Sequence, residues 1–597
     1  MRLSRLYCNR PSLFGPINFR PGLNVVLGEI RLPANDQRST HNLGKTTLAK
    51  VIDFCLCLKR NKNFFLFKHG QFLPFVFYIE LETLSGGYVT VRRSVETASK
   101  IDIITHDLPN QDFTNDESAA WDHTEVPFDR GKQILDGILG LSAIKPWDFR
   151  LPVGYALRTQ NDFQDVFQLA KFKGKHKDWK PYVSHILGFD SELVTANYLA
   201  AEQIEELGKK IATLKTELGA AEIDLDQIRG LIDIKQREVS KLGDAIKEFD
   251  FAFQDSEVNR DLVEQLDQTI SQLNGQRYVL SRTQKRIMDS LGAERVTFRT
   301  EVAKKLYEEA GIVFPGQLAK QFDDLIRFNK EISEERIVYL QQELANINQE
   351  LSTVATKLAT LNEQRQAQLR FLGDSESISK YRKMNAQMVE MQSELESLRR
   401  QSEALKGIRT REKHLRDLER NREDLVEKLE ADIESKGSEK ESRYSNIRSR
   451  LAALSQRFIG HKALVATRIN KEKNIEFHAE YLDPANQPTS EDEGKSYKQV
   501  LCAAYDLAVA SQLLSEEFVR FLYHDGLLEG LDNRIKLNIL ETLREFGDLG
   551  VQQILTVIDS DLPTLPDGTK FMFDPEEVIL HLHDEGPQGR LFRFEAW

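Results

Sequence analysis

The run Asn42-Leu43-Gly44-Lys45-Thr46-Thr47 combines the residue types that hold phosphate at the start of a helix. Small residues let backbone N–H groups face phosphate oxygens, a lysine neutralises charge at the β and γ positions, and a neighbouring hydroxyl can join Mg²⁺. The run is the second half of the pattern GxxxxGK[ST], and Ser39 stands at its first glycine position. The stretch Ile30 to Thr40 separates it from Gly28-Glu29, so the loop is expected to be lengthened or re-formed around Ser39. Gly28, Ser39, Asn42, Gly44, Lys45, Thr46 and Thr47 are therefore candidate ATP contacts, and Thr46 is also a candidate Mg²⁺ ligand. Far along the chain, Phe518-Val519-Arg520-Phe521-Leu522-Tyr523-His524-Asp525 reads as a strand ending in a carboxylate, and Asp525 is suited to the same metal.

Elements must bring these groups together. Leu23 to Leu27 is a short apolar run ending at Gly28, the pattern of a buried parallel strand that delivers its C-terminus to a ligand. Helical spacing follows over 46–58, and mixed strand and helix patterns fill about 75–195. Near residue 196 the pattern changes. Ile204, Leu207, Ile211, Leu214 and Leu218 step by three and four, and Ile337, Leu340, Leu344, Ile347, Leu351 and Val354 do the same in a second series. Such a/d seams bury one narrow stripe against a partner helix. Two seams flanking a break predict an antiparallel hairpin, with Gly311 to Gly316 at its apex and a kink at Phe371 to Ser375. At about 1.5 Å per helical residue the arms would reach on the order of 140 Å. The expected divisions are 1–195, 196–290 (outgoing arm), 291–330 (apex), 331–436 (returning arm) and 437–597, the first and last together forming one head.

Ile17-Asn18-Phe19 with Gly22-Leu23-Asn24-Val25-Val26-Leu27-Gly28-Glu29 resembles the N-terminus of SMC-like ABC ATPases, and the coil-split head resembles them over the whole chain. More narrowly, the HNLGKTTL form and the YHDGLLEGLD segment resemble bacterial YydD-like proteins, relatives of the ATPases of ABC-three-component conflict systems. The fold implied is an α/β ABC-type P-loop ATPase head split by a long antiparallel α-helical coiled-coil hairpin. By the same resemblance Gln160 takes the place of a glutamine that touches Mg²⁺ and water. Gly494 and Ser496, just before the apolar helix Val500 to Ala510, take the place of the signature motif, which meets the γ-phosphate held by a second head. Asp532 falls in the D-loop. The position that normally supplies a water-polarising glutamate holds Gly526, so either Glu529 or His524 substitutes or hydrolysis is slow; on this reading Gly526→Glu would accelerate it. Val557 stands where a switch histidine is expected.

The resemblance implies head-to-head dimers, operon-encoded partner or effector proteins, and DNA as a target in genome defence or repair. The alternative is a nucleotide-switched scaffold with little turnover, which Gly526 and Val557 favour. Composition bounds the rest. The 597 residues are 29% charged with a net charge of -12, which fits solvent-exposed helices and argues against a wholly basic DNA-coating protein. No run of about 18 apolar residues exists, so no bilayer span and no membrane partner is expected, and the cytoplasm is the expected compartment. The 4 cysteines suit a reducing environment, and no zinc site is expected.

Overall fold

The computed structural model describes residues 1–32, 43–115, 121–218, 224–249, 257–297, 316–370, 376–489 and 494–595. Ser39 and Asn42, residues 298–315 of the expected apex and the expected kink at 371–375 lie outside the described residues. Two compact units are present: Met1–Glu202 with Arg420–Trp597, and Gln203–Glu419.

The first unit is built on two large sheets. Strands β1 (Arg2–Cys8), β2 (Ile17–Asn18), β4 (Val76–Glu82), β5 (Tyr88–Ser94), β6 (Lys100–His106) and β7 (His123–Pro127) form an antiparallel sheet in the order β2-β1-β4-β5-β6-β7. Strands β3 (Leu23–Glu29), β8 (Leu157–Arg158), β11 (Phe521–Asp525), β12 (Gln552–Ile558) and β13 (Val578–His583) form the other, in the order β13-β3-β12-β11-β8. Every pairing in that second sheet is parallel, and its strands come from both ends of the chain. The apolar runs of β3, β11 and β12 follow from this, since a parallel strand covered on both faces has no wet side. In such sheets ligands bind beyond the carboxyl ends of the strands. Helix α1 (Lys45–Cys55) starts at that edge and buries Leu48, Val51, Ile52 and Phe54 in the head core. A small hairpin, β9 (Lys462–Ile469) with β10 (Ile475–Leu482), completes the strands.

The second unit differs from the expected two-armed hairpin. Its described helices include α2 (Leu225–Lys247), α3 (Glu257–Thr297), α4 (Gly316–Arg370) and α5 (Glu376–Ser438), the last running on into the first unit. Helix α2 pairs with α5 through Lys235–Glu394 at 2.9 Å and through Arg409 with Asp224 just before α2. Helix α3 pairs with α4: Asp267 meets Arg365 at 2.7 Å, and Ile270 packs with Val354 and Leu358. Helix α3 also touches α5, where Ser271 Oγ donates to Gln392 at 2.6 Å. Four helices thus lie side by side where two arms of on the order of 140 Å were expected from about 1.5 Å per residue. The heptad stripes are present, but a stripe does not specify which helix covers it. Residues 316–330, expected in the apex, belong to α4.

Helices α6 (Lys495–Gln512) and α7 (Asn533–Asp548) return to the head. Nearly the whole middle of α6 is buried, from Gln499 to Ala510, in accord with its continuous apolar sequence.

Candidate functional site

Gly44 caps α1 in the left-handed conformation, with φ 103°. A side chain there would be strained, and its Cβ would also lie 2.6 Å from the Cβ of Leu591. Gly28, next to last in the facing strand, packs against the same turn, since an added Cβ would sit in ordinary contact 3.4 Å from both Leu43 Cδ1 and Lys45 Cδ. The first turn of α1 carries no acidic residue and no side-chain cap, so its N–H groups and partial positive charge face the carboxyl edge of the sheet.

Around that helix start the structure assembles residues hundreds of positions apart. Thr46 Oγ1 donates to Asp525 Oδ2 at 2.6 Å, and Thr556 Oγ1 donates to Asp525 Oδ1 at 2.6 Å. Gln160 Nε2 donates to Glu529 Oε1 at 2.6 Å. Lys45 is buried at 8% exposure, and its main-chain carbonyl accepts from the Tyr523 hydroxyl at 3.1 Å. Burial pushes the Lys45 ammonium below its ordinary value, against the opposing pull of Glu529, Asp525 and Asp561. Burial pushes the Glu529 carboxyl up; Lys45 opposes this, while Asp561 and Asp525 add to it. Asp561 is likewise raised by burial, against Lys45 and Lys536. A cation and three carboxylates therefore share one partly dry pocket edge.

The donor set fits Mg²⁺ and a nucleotide triphosphate. The Thr46 hydroxyl and Asp525 carboxylate are hard oxygen donors already in contact, and Mg²⁺ needs only one or two protein oxygens beside phosphate and water. Among the described residues no group of three His, Cys, Asp or Glu side chains is arranged to hold a metal ion, so a denser metal cage is not on view. Bound there, ATP would supply the phosphoanhydride that Lys45 and the α1 N-terminus neutralise. Gln160 and Glu529 are the polar side chains that can orient water beside it.

His524, one of the two candidate substitutes for the missing glutamate, is not part of this group. Its Nε2 lies 3.2 Å from Asp506 Oδ2, and its ring stacks with Phe163. Side chains alternate along a strand, so Tyr523 and Asp525 face α1 while His524 faces the opposite way. Of the two candidates only Glu529, on the loop after β11, lies in this group. Gly526 explains how. It has φ 73°, and a Cβ on it would lie 2.7 Å from Glu529 Oε1 and 2.8 Å from Gln160 Nε2. The expectation that Gly526→Glu accelerates hydrolysis is therefore corrected: the Glu529 carboxylate already fills the space beside Gly526. Gly526→Ala should lower stability by about 1–2 kcal/mol through the left-handed backbone alone, read by chemical denaturation, and Gly526→Glu should lose turnover. Unchanged stability in the alanine variant would contradict the conformation described.

The remaining candidates are more peripheral. Gly494 is the N-cap of α6, and Ser496 Oγ donates to the Gly530 carbonyl at 3.2 Å. Asp532 is the exposed N-cap of α7, and Thr47 lies half-buried in the first turn of α1. Val557 is buried in β12. Two supporting residues carry no signal in a single sequence. Thr556 faces Asp525 only because of the β11–β12 register, and its hydroxyl also accepts from Gly526 N at 2.9 Å. Gln499 Nε2 donates to the carbonyls of Gly526 and Leu527, both at 2.7 Å, and so ties α6 to the loop that carries Glu529.

Residues 454–596 match a family described as "Uncharacterised protein conserved in bacteria (DUF2326)". No curated protein matches the chain. Among solved structures the chain is similar to the Smc head domain with a coiled coil and joint from Pyrococcus yayanosii, at 14% identity and a TM-score of 0.33, covering 96% of this chain and 98% of that one. It is also similar to the Smc head domain with an extended coiled coil from Pyrococcus furiosus, bound there to the C-terminal domain of ScpA, at 10% identity and a TM-score of 0.31, covering 94% and 90%. A SmcHead bound to the C-winged helix domain of ScpA matches at 16% identity and a TM-score of 0.17, over 24% of this chain and 47% of that one. The parallel sheet and the contacts at its carboxyl edge, rather than these distant likenesses, carry the reading of the site.

Proposed function

We propose that the chain is an SMC-like ATPase whose head binds Mg²⁺-ATP between α1 and β11 and turns it over slowly with Glu529 as the water-orienting group. The observation that supports this most is the 2.6 Å contact between Thr46 and Asp525, which joins the phosphate-loop hydroxyl to a carboxylate 479 positions away. Lys45 and the α1 N-terminus supply positive charge for the phosphates, Gln160 holds Glu529, and the raised carboxyl of Glu529 suits a base operating nearer neutrality. Because that carboxyl must be ionised to act, the rate should fall on acidification at a higher pH than an ordinary glutamate would give.

In this reading two heads close on ATP, with Gly494 and Ser496 of one facing the γ-phosphate held by the other. The coil then passes the nucleotide state to partner or effector proteins, with DNA the target that the resemblance to SMC-like ATPases implies. The 4 cysteines are free and buried, which supports the cytoplasm as the compartment. Among the described residues no helix is long and apolar enough to cross a membrane. The second reading, a nucleotide-switched scaffold that recruits effectors with little turnover, is favoured by Val557, buried in β12 where a switch histidine is expected, and shares the same binding site.

Dimerisation tests the closed state. Mg²⁺-ATP should shift the full chain toward dimers in sedimentation velocity, and Ser496→Arg should abolish the shift by placing bulk and charge at the first turn of α6. Identical sedimentation of the wild type with and without saturating ATP would remove the two-head arrangement.

A further inference from the structure

We propose that Asp584–Phe594 is a clamp that fixes the two flanks of the phosphate loop, Arg31-Leu32 and Leu43-Gly44, making Asp584 and Leu591 positioning residues for nucleotide binding; this rests on the ATP-site reading above. The parallel register of β13 with β3 sets it up. His583 pairs with Glu29, so the two strands end together and Asp584 emerges beside the residues that leave β3. There Asp584 Oδ1 accepts from the backbone N–H of Arg31 at 2.8 Å and of Leu32 at 3.2 Å. Arg31 is held further by Glu585 at 3.1 Å and by Glu29 at 2.8 Å. The upstream flank is thus tied by backbone and side chain alike.

The same segment then turns back to the downstream flank. Gly589 permits the bend, because a Cβ on it would lie 2.2 Å from the His583 carbonyl oxygen. Two residues later the Leu591 N–H donates to the Leu43 carbonyl at 3.1 Å, and the Leu591 Cβ closes against Gly44. Leu591 and Phe592 are 4% and 1% exposed, and the Phe592 ring is anchored 4.9 Å from Phe72 and 5.2 Å from Phe14. Arg593 N adds a bond to the Leu13 carbonyl at 2.9 Å. A rigid aromatic core therefore stands behind the contact with Gly44.

The physical need for such a clamp lies in the separation of the two flanks along the sequence, from Leu32 to Leu43. A phosphate loop works by presenting backbone N–H groups already in place, so fixing the described residues on either side of it favours binding. Charge-assisted bonds at one flank and a buried backbone bond at the other hold the two ends at the spacing the α1 N-terminus requires.

The test is Mg²⁺-ATP binding and steady-state turnover by the full chain carrying Asp584→Ala, Asp584→Asn or Leu591→Pro. Asp584→Ala should raise Kd and KM about tenfold, with kcat at saturating ATP and the nucleotide-free melting temperature unchanged. Asp584→Asn keeps an oxygen that accepts both N–H bonds and should restore most of the affinity. Leu591→Pro removes both the donor to Leu43 and the buried leucine side chain beside Gly44, and the extended Arg590 before it (φ -94°, ψ 159°) accepts a following proline; it too should weaken binding. Wild-type affinity in Asp584→Ala would overturn the clamp even where Leu591→Pro does not fold, and so would a loss in Asp584→Asn equal to that in Asp584→Ala. Failure of the wild type itself to bind Mg²⁺-ATP would instead overturn the site on which the clamp acts.

Discussion

Glu529→Gln should lower single-turnover hydrolysis of Mg²⁺-ATP by roughly 10² to 10⁴-fold, the range of a positioned general base, while nucleotide affinity stays close to that of the wild type. The substitution keeps shape and the partner at Gln160, because a glutamine oxygen accepts from Gln160 Nε2 as the carboxylate oxygen does at 2.6 Å. What it removes is the ability to take a proton. Burial raises the Glu529 carboxyl, with Asp561 and Asp525 adding to the effect and Lys45 opposing it, so its proton affinity is set by the pocket. The acid limb of the rate profile should accordingly disappear in the glutamine variant. Hydrolysis by Glu529→Gln at the wild-type rate would show that another group orients the water. His524→Ala, by contrast, should act through stability, since its ring faces Asp506 rather than the nucleotide edge.

Arg158→Leu should cost about 3–5 kcal/mol of stability, because it leaves a buried carboxylate without its charge partner. Arg158 is fully buried at 0% exposure, and its guanidinium meets Asp506 Oδ2 and Oδ1 at 2.7 and 2.8 Å. The same head group donates to the carbonyls of Asp162 at 2.7 Å, Asp165 at 3.1 Å and Val166 at 3.0 Å, so it also shapes the loop that carries Gln160. Asp506 lies on α6, and the pair therefore ties that helix to the end of β8. The double variant Arg158→Leu/Asp506→Leu should lose less than Arg158→Leu alone, since it does not leave the Asp506 carboxylate buried without its charge partner. Burial raises the Asp506 carboxyl, but Arg158 and His524 outweigh it and leave it lowered. The stability it adds is present above the unfolded carboxylate value and is lost as pH falls through the lower folded one. Denaturation midpoints at neutral and acid pH read both effects. A single variant as stable as the double would contradict the buried pair.

The parts of the site that the sequence discloses are those whose chemistry is local. Gly44, Lys45 and Thr46 follow one another at a helix start, and Asp525 ends an apolar strand, so residue type and neighbourhood suffice. Glu529 was recoverable as one of two acids or bases near Gly526, and strand alternation already separates it from His524, which must face away from Asp525. Thr556 and Leu591 were not recoverable, because inter-strand register and the path of a segment across a distant loop are properties of the packed head. The coil shows the same divide. The seam from Leu340 to Val354 marks which face of α4 is covered, yet the choice of α3 as its partner depends on pairs such as Asp267 with Arg365. Gly526 illustrates a reversal: read as a missing side chain, it suggests a defect, whereas its φ of 73° and the closeness of Glu529 show a backbone position that needs glycine.

Equilibrium binding of Mg²⁺-ATP to the full chain, measured by titration calorimetry beside Lys45→Ala, tests the central claim most directly. Lys45 is the buried cation at the start of α1, with the carboxylates of Glu529, Asp525 and Asp561 acting on it. The wild type should bind, and Lys45→Ala should lose roughly a hundredfold or more in affinity, the cost of removing one member of a buried charge pair, with an unchanged circular dichroism spectrum. Equal affinity of the two proteins, or no binding by the wild type at millimolar nucleotide, would contradict an ATP site at the carboxyl edge of the parallel sheet.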